Sequence, residues 1–165
     1  MVELYISSVK VYLISGLAAD YRIFKNLIFP SGIEPVYLDW ITPEKDETLK
    51  NYALRLAEKI DTSEKFALMG LSMGGMIAVE IAKKFPTVKL ILLSSIPVNS
   101  HLPFYFGWSR VLRLHKIIPV SWFRYGSIAK RLFTAESAED KAILKQIIRE
   151  SDPKFVKWAM DAILH

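Results

Sequence analysis

The chain has 165 residues, of which 52% are hydrophobic and none is cysteine. This length suffices for one domain with a sizeable core, and the hydrophobic content excludes a disordered chain. The lack of cysteine excludes disulfides, thiolate metal sites and a cysteine nucleophile.

The net charge of +5 comes entirely from the last third of the chain. Residues 1–100 contain 11 Lys and Arg against 11 Asp and Glu, whereas residues 101–165 contain 11 against 6. Such a basic stretch can attract an anionic substrate or a membrane surface. We favour a solvated face, because aromatic and aliphatic residues are interleaved with the cations. No motif indicates nucleic-acid binding.

The beginning of the chain does not have the pattern of a targeting segment. Residues 1–16 show no basic region followed by an apolar core and a small-residue cleavage site. No apolar run reaches the ~18 residues of a membrane span. We therefore expect a cytoplasmic protein without a membrane span.

The first part of the chain alternates between strand-like and helix-like segments. Val9–Ile14 (VKVYLI) is an apolar, β-prone run typical of a buried parallel strand, and Val2–Ile6 is a short candidate strand before it. Ser15–Asp20 predicts a turn, and Pro35–Leu38 predicts the next strand. Between them Tyr21–Ile28 predicts a helix with its apolar residues on one side: Tyr21, Phe24, Leu27 and Ile28.

The next predicted helix has clear start signals and an apolar stripe. Thr42 is suited to the N-cap and Pro43 to the first helical position. Acidic residues follow near the positive end of the helix dipole: Glu44, Asp46 and Glu47. Apolar residues at helical spacing predict one face that packs on the sheet: Leu49, Tyr52, Ala53, Leu56, Ala57 and Ile60.

The segment Phe66–Pro86 (FALMGLSMGGMIAVEIAKKFP) places a serine between a strand and a helix. A serine at such an apex has a strained backbone and projects from the carboxyl end of the sheet. The residues two before and two after Ser72 must then be small, as Gly70 and Gly74 are. The helix behind the serine points its free N–H groups, beginning with that of Met73, toward whatever the hydroxyl attacks.

This segment resembles the nucleophile elbow Gly-x-Ser-x-Gly of the α/β-hydrolase family, in the strand, turn and helix context that the motif requires. The resemblance implies that Ser72 is a catalytic nucleophile and that the N–H of Met73 is an oxyanion donor. The alternative is a glycine-rich turn that cradles a phosphate. We favour this less, because the chain has neither a Gly-x-Gly-x-x-Gly fingerprint nor a P-loop.

The resemblance also assigns a role to the first loop, which corresponds to the family's His-Gly loop after its third strand. That loop supplies the second oxyanion N–H. Here Ser15 stands in place of the histidine, Gly16 allows the backbone to approach a substrate, and Leu17 offers its N–H. An ordinary turn residue is the alternative interpretation of Leu17.

The strand-like pattern ends after Val88–Leu93 (VKLILL), and aromatic-rich helical segments follow. The last two predicted helices are Glu136–Ile148 and Pro153–Leu164. The pattern predicts a parallel α/β sheet with helices on both faces in residues 1–96. Residues 97–165 are then a helical lid or cap, which in the family covers the nucleophile and shapes the pocket. A helical subdomain core is the alternative.

The residues that would activate the serine are not evident. The family uses a histidine and a carboxylate that follow the lid, so the chain resembles the amino-terminal two-thirds of a hydrolase, without its C-terminal strands. Asp39 precedes the serine, and we interpret it as a turn or capping residue. The histidines do not occupy the family position, and we interpret each as a surface or lid residue: His101, His115 and His165.

Two functional hypotheses result. The first is a serine hydrolase for a carboxylic ester, thioester or related small acyl substrate, with no cofactor or metal, in a chain truncated before its acid and histidine. The second is a non-catalytic α/β-hydrolase-like binding or assembly module. In both, Val88–Leu93 would be a sheet edge, and we expect a C-terminal fragment or a second copy in a homo-oligomer to pair there. Without an identified base, we expect weak or no activity from the 165-residue chain alone.

Overall fold

The computed structural model describes residues 8–95 and 137–164. Four parallel strands form one sheet in the spatial order β2-β1-β3-β4: β1 (Val9–Ile14), β2 (Ile33–Leu38), β3 (Phe66–Leu71) and β4 (Lys89–Leu93). The α-helices are α1 (Leu49–Leu56), α2 (Met73–Lys84), α3 (Ala138–Glu150) and α4 (Pro153–Leu164), and short 3₁₀ helices cover Tyr21–Phe24 and Ala57–Lys59. The predicted parallel α/β fold is confirmed. The candidate strand Val2–Ile6 and residues 97–136 of the predicted lid lie outside the described residues.

The central strand β1 is buried on both faces because its side chains alternate between two apolar layers. Tyr12 and Ile14 face one layer, and Val11 and Leu13 face the other. β1 pairs in parallel with β2 on one side and with β3 on the other. A strand in this position has no polar face, which is why its sequence is a nearly continuous apolar run.

The first apolar layer is built by α1, α2 and α4. The predicted stripe of α1 is buried there, with Tyr52 and Leu56 completely inaccessible to solvent. From α4, Phe155 and Ala159 belong to the same cluster, and the rings of Tyr52 and Trp158 have centroids 4.4 Å apart. The last helix therefore packs as part of this layer. None of the described helices is both long and apolar enough to cross a membrane.

The second layer is covered, within the described residues, by the 3₁₀ helix Tyr21–Phe24. Phe24 is 3% exposed and packs among Val11, Leu13 and Ala67. The prediction of a helix as far as Ile28 is wrong, since the N–H of Leu27 donates to the carbonyl of Phe24 at 2.9 Å and Ile28 is 95% exposed. Only Phe24 gains full burial, so packing does not stabilise a longer helix.

Ion pairs connect this 3₁₀ helix to α3. The guanidinium of Arg22 pairs with the carboxylates of Asp20 at 2.6 Å and Glu150 at 2.5 Å. The ammonium of Lys25 lies 2.8 Å from the carboxylate of Asp140. These side chains are partly exposed, so solvent screens the pairs and each contributes little to stability.

The predicted start of α1 at Thr42 is wrong. The helix begins at Leu49, and its N-cap is Thr48, whose hydroxyl accepts a hydrogen bond from the N–H of Asn51 at 3.2 Å. Between Thr42 and this cap, Asp46 has a φ of 56°, which a right-handed helix cannot include. The acidic residues before the cap therefore lie in a turn.

A buried carboxylate holds that turn in place. The side chain of Glu47 is 4% exposed and accepts hydrogen bonds from Nε and Nη2 of Arg55 at 2.8 and 2.9 Å, and from the N–H of Glu44 at 2.9 Å. The indole of Trp158 donates to the carbonyl of Glu47 at 2.8 Å. Burial raises the pKa of the Glu47 carboxyl, but the hydrogen bonds from Arg55 and Glu44 outweigh burial and bring this pKa below its ordinary value.

We expect Glu47→Gln to lower the free energy of unfolding at neutral pH by about 2 kcal/mol, because the part-buried hydrogen bonds from Arg55 lose their charged acceptor. Glu44→Gln is the matched control. The Glu44 carboxylate is 67% exposed and 3.6 Å from the same guanidinium, so its replacement should cost less than about 0.5 kcal/mol. Urea unfolding of both variants measures the difference. Equal losses in the free energy of unfolding would contradict the stabilising role assigned to the Glu47 carboxylate.

The same pair predicts a pH dependence of stability. Because folding lowers the pKa of the Glu47 carboxyl below its ordinary 4.5, the stabilisation is complete above that pH. It is lost as the pH falls through the folded-state pKa. The wild type should therefore lose more stability on acidification than Glu47→Gln does, as measured by thermal unfolding across this pH range. Equal losses of stability in both proteins would contradict this role of the Glu47 carboxyl.

Candidate active site

Ser72 is the single residue between β3 and α2. Its backbone has φ 51° and ψ −118°, a conformation that costs a residue other than glycine of order 1–3 kcal/mol. The residue is exposed at the carboxyl edge of the sheet. The sequence predicts a strained strand-to-helix turn at this serine, and the structure has one.

Hydrogen bonds to the end of β4 hold the strained backbone of Ser72. Its N–H donates to the carbonyl of Leu93 at 2.9 Å. Its carbonyl accepts from the hydroxyl of Ser95 at 2.6 Å and from the N–H of Gly75 at 2.9 Å. The sequence pattern assigned no role to Ser95, although a small hydroxyl residue just after a neighbouring parallel strand is a signal for such a contact.

Two glycines allow α2 to lie directly against the sheet. A Cβ on Gly70 would overlap the backbone of Gly74, and a Cβ on Gly74 would overlap the carbonyl oxygens of Ile14 and Ser15. No side chain fits at either position. The turn at Ser72 is therefore compressed between β1, β3 and α2.

The loop after β1 lies beside this serine. A Cβ on Gly16 would be 3.5 Å from the Cβ of Ser72 and 3.5 Å from the carbonyl oxygen of Leu71. The two predicted oxyanion donors are close in the chain to these contacts: Leu17 follows Gly16, and Met73 follows Ser72. Within the described part of the chain, neither of their N–H groups donates a hydrogen bond.

The side chain of Ser15 supports this loop from inside. It is 4% exposed, and its hydroxyl donates to the carbonyl of Ala19 at 2.9 Å. The same carbonyl accepts a hydrogen bond from the indole N–H of Trp40 at 2.9 Å, and the N–H of Ala19 donates to the carbonyl of Gly16 at 3.1 Å. The serine in place of the expected histidine thus has a structural partner, and Trp40 is a neighbour that the sequence did not indicate.

No titratable partner of the Ser72 hydroxyl is found among residues 8–95 and 137–164. Asp39 is exposed after β2, and its backbone carbonyl accepts from the ammonium of Lys59 at 3.3 Å. These ranges also contain no cluster of three side chains that could hold a metal ion. The histidines lie outside the described residues: His101, His115 and His165.

Comparison with known proteins identifies the fold. No family model matches the chain, and no curated protein matches its sequence. Solved structures match its architecture. MenH from S. aureus has a TM-score of 0.68 at 18% identity, over 93% of this chain and 65% of MenH. A thermophilic esterase from Thermogutta terrifontis has a TM-score of 0.64 at 21% identity, over 96% of this chain and 64% of the esterase. The chain has an α/β-hydrolase fold.

This α/β-hydrolase fold is present over less than the full length of its neighbours, since the chain spans 64–65% of the two structures above. The fold also occurs in a protein named for another reaction. The bottromycin epimerase BotH has a TM-score of 0.58 at 16% identity, over 96% of this chain and 65% of BotH. At these identities the likeness establishes the fold, and chemistry has to be argued from the site.

The glycine contacts make a paired prediction. Gly74→Ala should destabilise the fold by about 2 kcal/mol or more, because its methyl group would overlap backbone atoms that cannot rotate away. Gly16→Ala should change stability by less than about 0.5 kcal/mol, because its methyl group would make ordinary contacts at 3.5 Å. Chemical denaturation of both variants checks this. Similar costs would mean that α2 does not approach the sheet as closely as described.

Proposed function

We propose that the chain forms the nucleophile-bearing part of a serine hydrolase for a carboxylic ester, thioester or related small acyl substrate. The observation that carries this proposal is Ser72, exposed in a strained turn at the carboxyl edge of an α/β-hydrolase fold. Strain of this kind persists only where the surrounding structure enforces it, and it occurs preferentially at functional sites. The esterase among the structural neighbours supports the choice of an acyl substrate.

In the proposed reaction, Oγ of Ser72 attacks the acyl carbonyl carbon as a base removes the hydroxyl proton. The carbonyl electron pair moves to oxygen, and the N–H groups of Met73 and Leu17 donate hydrogen bonds to the oxyanion. Each such donor typically stabilises the transition state by ~3 kcal/mol. The tetrahedral intermediate expels the alcohol or thiol, which takes the proton from the base, and water then hydrolyses the acyl-enzyme to release the carboxylic acid and restore the Ser72 hydroxyl.

The histidine base comes from outside the described residues in this proposal, since those residues contain no histidine. The histidine can be one of this chain's own: His101, His115 or His165. Alternatively, a C-terminal fragment or a second copy supplies it and extends the sheet beside β4, which pairs only with β3 within the described residues. An unpaired strand edge of apolar sequence is suited to such pairing.

Two further features belong to the proposal. Residues 97–165 act as the lid that covers the site and shapes the acyl pocket, and α4 within this range also packs in the first apolar layer. A cytoplasmic location is supported by the lack of cysteine in the chain.

A non-catalytic binding or assembly module is the second candidate. It is favoured by one observation, namely that the Ser72 hydroxyl has no hydrogen-bond partner among the described residues. Without a base, a serine hydroxyl is a weak nucleophile. A module of this kind would keep the fold but would not form an acyl-enzyme.

Covalent labelling with an alkyl fluorophosphonate separates the two candidates. We expect slow labelling of one serine in the full 165-residue chain. Intact-mass measurements follow the time course of labelling, and peptide mapping identifies the labelled serine. Labelling should be lost in Ser72→Ala. Ser94→Ala is the matched control, because Ser94 is also exposed, has a φ of 45° and lies just after β4. It should keep the wild-type labelling rate.

Labelling at another serine, or none at saturating reagent in a folded sample, would contradict the hydrolase proposal and favour the binding module. Rapid stoichiometric labelling would instead show that the chain assembles its own base. His101→Ala, His115→Ala and His165→Ala would then identify which imidazole it uses.

A further inference from the structure

Two side chains hold the turn that contains Leu17, here called the oxyanion turn (residues 15–19). Ser15 Oγ and Trp40 Nε1 both donate to the carbonyl oxygen of Ala19, each at 2.9 Å. The backbone of the turn contributes one hydrogen bond of its own, from the N–H of Ala19 to the carbonyl of Gly16 at 3.1 Å. The turn therefore depends on partners outside its backbone.

The oxyanion turn also contains a strained residue. Ala18 has a φ of 56°, in the left-handed region that favours glycine. A residue other than glycine remains there only when its surroundings determine the conformation. The N–H of Ala19, which belongs to the peptide between Ala18 and Ala19, is bonded to Gly16, and the carbonyl of Ala19 is held by Ser15 and Trp40. These bonds are suited to the task because they fix both peptides of the residue that follows Ala18.

The position of Trp40 is set by elements other than the oxyanion turn. Its ring centroid lies 5.0 Å from that of Phe155 in α4 and 6.3 Å from that of Tyr52 in α1. The hydroxyl of Tyr52 donates to the carbonyl of Ile41 and accepts from its N–H, both at 2.9 Å, which fixes the residue after Trp40. The indole N–H is thus presented to the turn by a rigid aromatic cluster.

We propose that Ser15 and Trp40 are positioning residues for the N–H of Leu17, and this inference rests on the proposed function. Neither side chain touches the acyl group. They act through the carbonyl of Ala19, which fixes the oxyanion turn beside Ser72. A displacement of about 1 Å in a catalytic group can reduce a rate about 100-fold, so loss of this support should appear in the reaction and not only in stability.

The test compares two tryptophan variants of the full 165-residue chain. Trp40→Phe keeps an aromatic ring in the cluster and removes the N–H that binds Ala19. Trp158→Phe is the matched control, because Trp158 lies in the same cluster and its N–H donates to the carbonyl of Glu47 at 2.8 Å, away from the oxyanion turn. Ser15→Ala is a second variant that decides the outcome if Trp40→Phe does not fold.

Two readouts are measured on each variant. Amide hydrogen exchange of Ala19 should be about 10-fold faster in Trp40→Phe and Ser15→Ala and unchanged in Trp158→Phe, because one hydrogen bond of the turn is lost. The maximal rate of Ser72 labelling by the fluorophosphonate should fall about 10-fold or more in the same two variants. The reagent concentration at half-maximal rate should stay the same.

The two readouts separate the possible failures. Unchanged exchange of Ala19 in both variants would overturn the positioning role. Faster exchange with a labelling rate equal to that of Trp158→Phe would overturn the link to Leu17 and leave Ser72 as the nucleophile. No labelling of Ser72 in the wild type would overturn the proposed function, and the catalytic role of the oxyanion turn with it.

Discussion

The close approach of α2 to the sheet is the constraint on which the rest of the site depends. Gly70 and Gly74 leave no space for a side chain, so the chain must turn from β3 into α2 within one residue. That residue, Ser72, takes a left-handed conformation, and its backbone is held by Leu93 at the end of β4 and by Ser95 just after it. The sheet order matters here, because only a strand adjacent to β3 can supply these bonds.

A second dependence links the two distant parts of the described chain. Phe155 of α4 packs with Trp40 and Tyr52, which lie more than 100 residues earlier in the sequence. This aromatic cluster connects α1 to α4 and also presents an indole N–H to Ala19. The same packing that stabilises the first layer thus determines the position of the loop next to Ser72. Core stability and site geometry are therefore coupled through one group of rings.

The sequence alone predicts the elements whose buried residues are spaced at the period of a strand or a helix. β1 has the bounds that its apolar run predicts, and the apolar stripe from Tyr52 to Ile60, in α1 and the 3₁₀ turn after it, is buried as its helical spacing predicts. The turn at Ser72 was also predictable, because glycines at fixed distances, an apolar strand before it and a helix after it are all read from adjacent residues. The fold class and the position of the candidate nucleophile follow from these features alone.

Only the tertiary structure decided features that depend on partners distant in sequence. The helix predicted from Tyr21 ends after Phe24. Of the four apolar residues on its predicted face, only Phe24 is fully buried against the sheet. α1 begins at Leu49, and not directly after Thr42 as predicted, because Arg55 and Trp158 hold the preceding turn through Glu47. The bond from Trp40 to Ala19 likewise has no local signature. Sequence periodicity records which face of an element is apolar, whereas these contacts depend on which other element that face or turn meets.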